Sequence, residues 1–172
     1  GRKWRNTPKP SIAAVQGACI AAGLMLIWPC DLIIAADNAR FSDPVVLMGI
    51  GGVEYHGHTW ELGARKAKEL LFTADAIDAV TAEKLGMVNK VVSLEDLMSE
   101  TLAMARLIAE KPPFGLAMAK RAVNRTLDIM GQDNAIQAVF DIHELGHGNA
   151  QSFSGKPILT DLLGMKKANN KD

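Results

Sequence analysis

The chain has 172 residues, 48% of them hydrophobic, with 19 basic and 19 acidic side chains and a formal net charge of zero. That is one domain's length with ample core material, which excludes disorder and leaves no broad basic face for nucleic acid or an anionic membrane. No apolar run reaches the roughly 18 residues of a membrane span, and the basic opening GRKWRNTPKP leads toward a strand rather than a signal-peptide core, so a cytoplasmic protein is expected.

Pro8 and Pro10 precede Ser11 to Val15, an apolar run read as a buried strand bounded by Gly17. The small-residue turn GACIAAG follows, and Gly23 to Trp28 reads as a short buried helix ending by Pro29 and Cys30. Asp31 to Ala35 is a second strand. Asp37-Asn38 marks a turn, Arg40 to Ser42 a third short strand, and Asp43-Pro44 a break. Strand, helix and strand within about 30 residues predict parallel pairing. Glu54 to Leu62 and Arg65 to Phe72 read as helical pieces divided by Gly63, and Thr81 to Lys84 as a short capped helix ending at Gly86. Met87 to Val92 returns as a strand. Residues 94, 97, 98, 102, 105 and 108 carry the apolar spacing of an amphipathic helix closed by Pro112 and Pro113, and helices over 114–128 and 134–146 follow. Cys19 and Cys30 sit in apolar surroundings at no metal-ligand spacing, as reduced thiols.

A tight turn opening a helix aims unpaired backbone N–H groups at one place. Ala21, Ala22 and Gly23 would let a polarised carbonyl approach the main chain closely, as in an oxyanion hole. Small residues that merely let the helix pack on the sheet are the plain alternative.

The ordered set Lys9-Pro10, Ala13-Ala14-Val15, Gly17, Cys30-Asp31, Ala35-Ala36, Phe41, Pro44 and Gly49 resembles the crotonase superfamily, the enoyl-CoA hydratase/isomerase-like proteins. Gly63 to Thr73 and Ala82 to Val88 extend the resemblance, which covers about residues 8 to 130. It implies an α/β fold: a partial crotonase-like ββα spiral over 1–92, then a C-terminal helical trimerisation region over 93–172. It also implies an acyl-CoA or enoyl-CoA substrate whose thioester oxygen is held, as the enolate forms, by the Ala22 N–H, with Ile20, Ala21 and Gly23 around it. A homotrimer or hexamer is the expected assembly, with no cofactor beyond the coenzyme A thioester as substrate, no metal, no nucleic acid and no membrane partner. The family's second donor lies in a loop before residue 1, so the chain is either a piece of a longer protein or a shortened relative.

The family's two catalytic glutamates fall at Met25 and Val45, neither of which can move a proton. Ordinary two-glutamate hydration is therefore doubtful. Replacement acids or bases are Asp43 and the cluster Glu54-Tyr55-His56-Gly57-His58, where Glu54 would raise the basicity of a histidine. A turn cap at Asp43 and a solvated loop and helix start at His56 and His58 are the structural alternatives. A non-catalytic acyl-CoA-binding relative is the rival function.

Residues 143 to 147, HELGH, match the H-E-x-x-H pattern of zinc hydrolases, with Glu144 as base. Gly146 and Gly148 argue against the helix it needs, and a helix end with His147 at its C-terminus is the alternative. Lys111, Lys120, Arg121 and Arg125, and Lys156, Lys166, Lys167 and Lys171, read as solvated faces.

Overall fold

The computed structural model describes residues 1–161 and 163–165. Six strands divide between two three-stranded sheets. One holds β1 (Ile12–Val15), β3 (Leu32–Ala36) and β6 (Lys90–Val92) in the order β1-β3-β6; the other holds β2 (Ala18–Ile20), β4 (Arg40–Ser42) and β5 (Ile77–Asp78) in the order β2-β4-β5. All pairings are parallel except β4 with β5. The chain therefore lays β1 in one sheet and β2 in the other, crosses by a helix, and repeats the step with β3 and β4. Two strands and a helix per turn make a spiral, and this is how the expected parallel pairing is realised.

Helices α1 (Arg2–Arg5) and α2 (Ala22–Ile27) precede a 3-10 turn at Pro44–Met48 that ends at Gly49 in the left-handed region. Helix α3 spans His58–Thr73 and breaks its own geometry at Gly63, φ 72°, so the two expected pieces are present. The first starts at His58, not Glu54, because the 49–57 segment folds as a loop under the helix. Its Gly57 lies flat on Trp28: a Cβ there would come within 2.7 Å of the indole. Helix α4 (Ala79–Lys84) is capped by Asp78, whose carboxylate accepts the Thr81 N–H at 2.8 Å. The core joins both sheets to α2, α3 and α4 through Leu24, Ile33, Phe41, Leu62, Leu70 and Ala82, all buried.

Helices α5 (Leu97–Ala109), α6 (Pro113–Ile129) and α7 (Gln132–Ser154) form the C-terminal half. The last runs well past residue 146, straight through Gly146 and Gly148, so those glycines do not break it. At Gly146 a Cβ would stand 3.0 Å from the Gly49 carbonyl oxygen and 3.2 Å from Ile50 Cα; the missing side chain lets α7 lie against that loop. Lys120 is no solvated residue: its ammonium donates to Asp31 Oδ2 at 2.8 Å and to the Lys9 carbonyl at 3.1 Å, tying α6 to the spiral. Arg5 makes the matching tie, donating to Gln132 Oε1 at 2.9 Å and to the Asn124 carbonyl at 3.1 Å. Lys166, Lys167 and Lys171 lie outside the described residues. Cys19 and Cys30 are free thiols, and among the described residues no helix is long and apolar enough to cross a membrane.

Because Trp28 is itself buried and cannot swing clear, Gly57→Ala is expected to cost about 2 kcal/mol through overpacking, seen as a lower denaturant midpoint at unchanged m-value.

Candidate active site

Strands β2 and β4 run side by side with Ile20 opposite Ser42, and the Ala21 N–H donates to the Ser42 carbonyl at 2.9 Å. Helix α2 must begin at the next residue. Ala21 makes the corner at φ 47° and ψ −103°, a conformation that costs a residue with a Cβ roughly 1–3 kcal/mol. Its carbonyl accepts from the N–H groups of Leu24 at 2.9 Å and Met25 at 3.4 Å. The N–H groups of Ala22 and Gly23 donate to nothing among the described residues, and Ala22 is exposed. Ala22 itself is helical, so its Cβ brings no strain and its donor stays available. Gly23 serves packing: a Cβ there would stand 3.1 Å from Cys19 Sγ, the thiol that burial pushes up to about 11. Ile20, last in β2, is exposed.

The same strand end delivers Asp43, one residue beyond Ser42. Its carboxylate is completely buried and accepts the Val53 N–H at 3.0 Å, so it braces the 49–57 loop rather than capping the 3-10 turn it precedes. His58 Nε2 lies 2.9 Å from the same oxygen, close but poorly aligned for a hydrogen bond, and Asp43 Oδ1 has no partner. His58 is also fully buried, edge-on to Trp28, and its Nδ1 stands 3.1 Å from Nδ1 of His56. The three form a file from core to surface. His56 is half-buried, and burial first, then the neighbouring His58, pushes its pKa down to about 4 against an opposing pull from Asp43. The ring is neutral at pH 7, a proton acceptor rather than a stored acid.

Glu54 does not sit beside His56 as its activator. It approaches His143 on α7 instead, Oε1 to Nε2 at 3.7 Å, and lines a cavity of about 440 Å³ with Met25, Tyr55 and Phe140. A second cavity of about 440 Å³, between the spiral and helices α6 and α7, is walled by Trp28, Ile33, Tyr55, Leu116 and Val123 and holds Glu61. Burial raises that carboxyl to about 7. Sequence inspection missed Glu61 because its position on α3 reads as an exposed helix face; its burial comes from the tertiary packing around that cavity.

The HELGH segment is helical. His143 is buried with Nδ1 2.8 Å from the Gly52 carbonyl, His147 Nδ1 is 2.7 Å from the Pro157 carbonyl, and the two Nε2 atoms are 3.1 Å apart. Glu144 is exposed and contacts neither ring.

A family model described as enoyl-CoA hydratase/isomerase matches residues 2–146. The EchA13 protein of Mycobacterium tuberculosis is 46% identical over 155 residues, 90% of this chain and 49% of that one. A crotonyl-CoA hydratase of Syntrophomonas wolfei is 37% identical over 94% of this chain and 61% of its own length. Among solved structures, a probable enoyl-CoA hydratase of Mycobacterium smegmatis superposes with TM-score 0.92 at 66% identity, covering 93% of this chain and 65% of that one. An enoyl-CoA hydratase/isomerase of Xanthobacter autotrophicus Py2 gives 0.83 at 30% identity, with coverage of 98% and 64%. The chain thus spans about half to two thirds of the length of the proteins it matches.

Two outcomes follow from the geometry. Removing the Cβ at the strained corner, Ala21→Gly, is expected to raise unfolding free energy by about 1 kcal/mol in a urea titration. The Glu61 carboxyl keeps its proton to about pH 7 when folded and to about 4.5 in its ordinary state, so the folded chain binds more protons in that window and stability falls as pH rises through it. Glu61→Gln is expected to abolish a fall of about 2 kcal/mol between pH 4.5 and 8, measured by chemical denaturation at each pH.

Proposed function

The chain belongs to the enoyl-CoA hydratase/isomerase family, and from that premise we propose that its protein binds an acyl-CoA or enoyl-CoA thioester and stabilises the enolate through the Ala22 N–H. The observation that carries this reading is the pair of unpaired N–H groups, Ala22 and Gly23, presented by a corner that Ala21 makes at an energetic cost. A thioester oxygen needs donors and no side chain, and develops its charge only as the enolate forms, so preorganised backbone donors favour the transition state over the ground state. Ile20, Ala21 and Gly23 border the bound acyl carbonyl.

Proton transfer is assigned to His56, with His58 and Asp43 behind it as positioning groups. The neutral ring has a lone pair free to accept a proton next to the thioester; burial and His58 disfavour the imidazolium that results, and the Asp43 carboxylate opposes them in part. This chemistry is a lyase or isomerase step that does not use glutamates at Met25 and Val45. The assembly is taken to be a homotrimer or hexamer; exposed Phe114, Val123 and Ile129 on α6 and Ile142, Leu145 and Phe153 on α7 give it apolar surface to bury. Free Cys19 and Cys30 fit the reducing cytoplasm.

Non-catalytic acyl-CoA binding is the second reading, favoured by Met25 and by an Asp43 sealed from any ligand. Crotonyl-CoA hydration, with a panel of isomerisation and dehydration substrates, is measured on this chain and on the longer protein alongside calorimetry with acyl-CoA. Binding without turnover on either selects the binder. Pro is tolerated at a first helical position but lacks the donor, so Ala22→Pro is expected to weaken acyl-CoA binding about tenfold and turnover about 10²- to 10³-fold. Unchanged binding and rate in that variant would remove Ala22 from the site. His56→Gln is expected to lower kcat about 10²- to 10⁴-fold with little change in KM.

A further inference from the structure

The two histidine pairs have the same spacing and opposite hydrogen-bond arithmetic. In the first, His58 Nε2 faces a carboxylate and carries a proton, its Nδ1 is then a lone pair, and His56 Nδ1–H supplies the donor across 3.1 Å. Between the two rings, a donor thus faces a lone pair. In the second, each Nδ1 meets a backbone carbonyl, Gly52 for His143 at 2.8 Å and Pro157 for His147 at 2.7 Å. A carbonyl can only accept, so each Nδ1 carries the ring's proton. Both Nε2 atoms are then lone pairs, and they face each other at 3.1 Å. Two lone pairs at that distance repel unless something positive lies between them.

We propose that His143 and His147, with the Glu54 carboxylate, form a clip for a divalent first-row transition metal of the zinc class. The proposal does not rest on the acyl-CoA reading. Its geometry is that of a ligand pair: a histidine that binds metal through one ring nitrogen characteristically donates from the other to a backbone carbonyl or carboxylate, which fixes tautomer and orientation. Both rings do so here. Nitrogens at about 2.0–2.1 Å from a tetrahedral zinc stand roughly 3.3 Å apart, near the observed 3.1 Å. Glu54 Oε1, 3.7 Å from His143 Nε2, lies a few tenths of an ångström beyond the same edge. Among the described residues no three ligating groups yet converge on one point, so binding draws the Glu54 side chain in. The helix that the motif requires is intact because Gly146 is packed on Gly49 and Ile50 rather than frayed. The carboxylate at hand is Glu54, which departs from the H-E-x-x-H hydrolase arrangement: Glu144 faces away. Two nitrogens and one oxygen leave a fourth position for water or another ligand.

The purified chain is stripped with chelator, titrated with zinc(II) or cobalt(II), and analysed for bound metal, for visible d–d absorption of the cobalt form, and for its melting temperature. One metal per chain, imidazole-type cobalt spectra and a rise in melting temperature with zinc are expected. His147→Ala is expected to weaken uptake at least about tenfold, and Glu54→Gln, at a half-exposed side chain whose change leaves the fold intact, by a smaller factor. No stoichiometric uptake by the wild type, or uptake unchanged in both variants, overturns the proposal and leaves a shared proton in the gap.

Discussion

Everything at the candidate site depends on the parallel pairing of two three-residue strands. Because β2 lies against β4 with Ile20 opposite Ser42, the turn that opens α2 and the carboxylate of Asp43 arise at the same end of the sheet. The Ala21 N–H is spent on the Ser42 carbonyl, so the corner cannot relax toward solvent and the next two N–H groups stay free. Three pairs of backbone positions thus fix where the two free N–H groups stand. None of this requires a polar side chain in the turn.

Asp43 works in the opposite sense. A fully buried carboxylate is expensive unless it is paired; Asp43 accepts the Val53 N–H and lies against the His58 ring. That pairing holds the 49–57 loop down, which in turn presents Gly52 to His143 and Glu54 to the Met25 cavity. The loop is where two histidine clusters from distant parts of the sequence come within reach of each other. The spiral supplies the frame and α7 supplies His143 and His147.

Much of the frame was legible in the sequence. The apolar runs at 12–15 and 32–36, the break at Gly63 and the long periodic helices all express local patterns. Strand β2 was not, because Ala18-Cys19-Ile20 has no alternation and exists only through its pairing with β4. Asp78 was missed as the cap of α4 since its role depends on where the helix starts by one turn. Gly146 was misread for a physical reason: helix propensity counts a glycine as a loss, whereas contact with Gly49 and Ile50 makes a Cβ the greater loss. At the candidate site, the free N–H of Ala22 was readable from the small-residue run, while the approach of Glu54 to His143, far along the chain, leaves no local trace. The low basicity of His56 comes from burial, which no spacing of residues reports.

Lys120 carries a different kind of information. Its ammonium is almost wholly shielded while it holds Asp31 and the Lys9 carbonyl, whereas Lys9 and Lys111 stand in solvent at or near the same seam. An amine-acylating reagent would therefore label the exposed lysines at their chemical rate and Lys120 only when α6 lifts from the spiral. Mass spectrometry of that one peptide turns a buried ion pair into a clock for the opening of the C-terminal helices, independent of any ligand or activity.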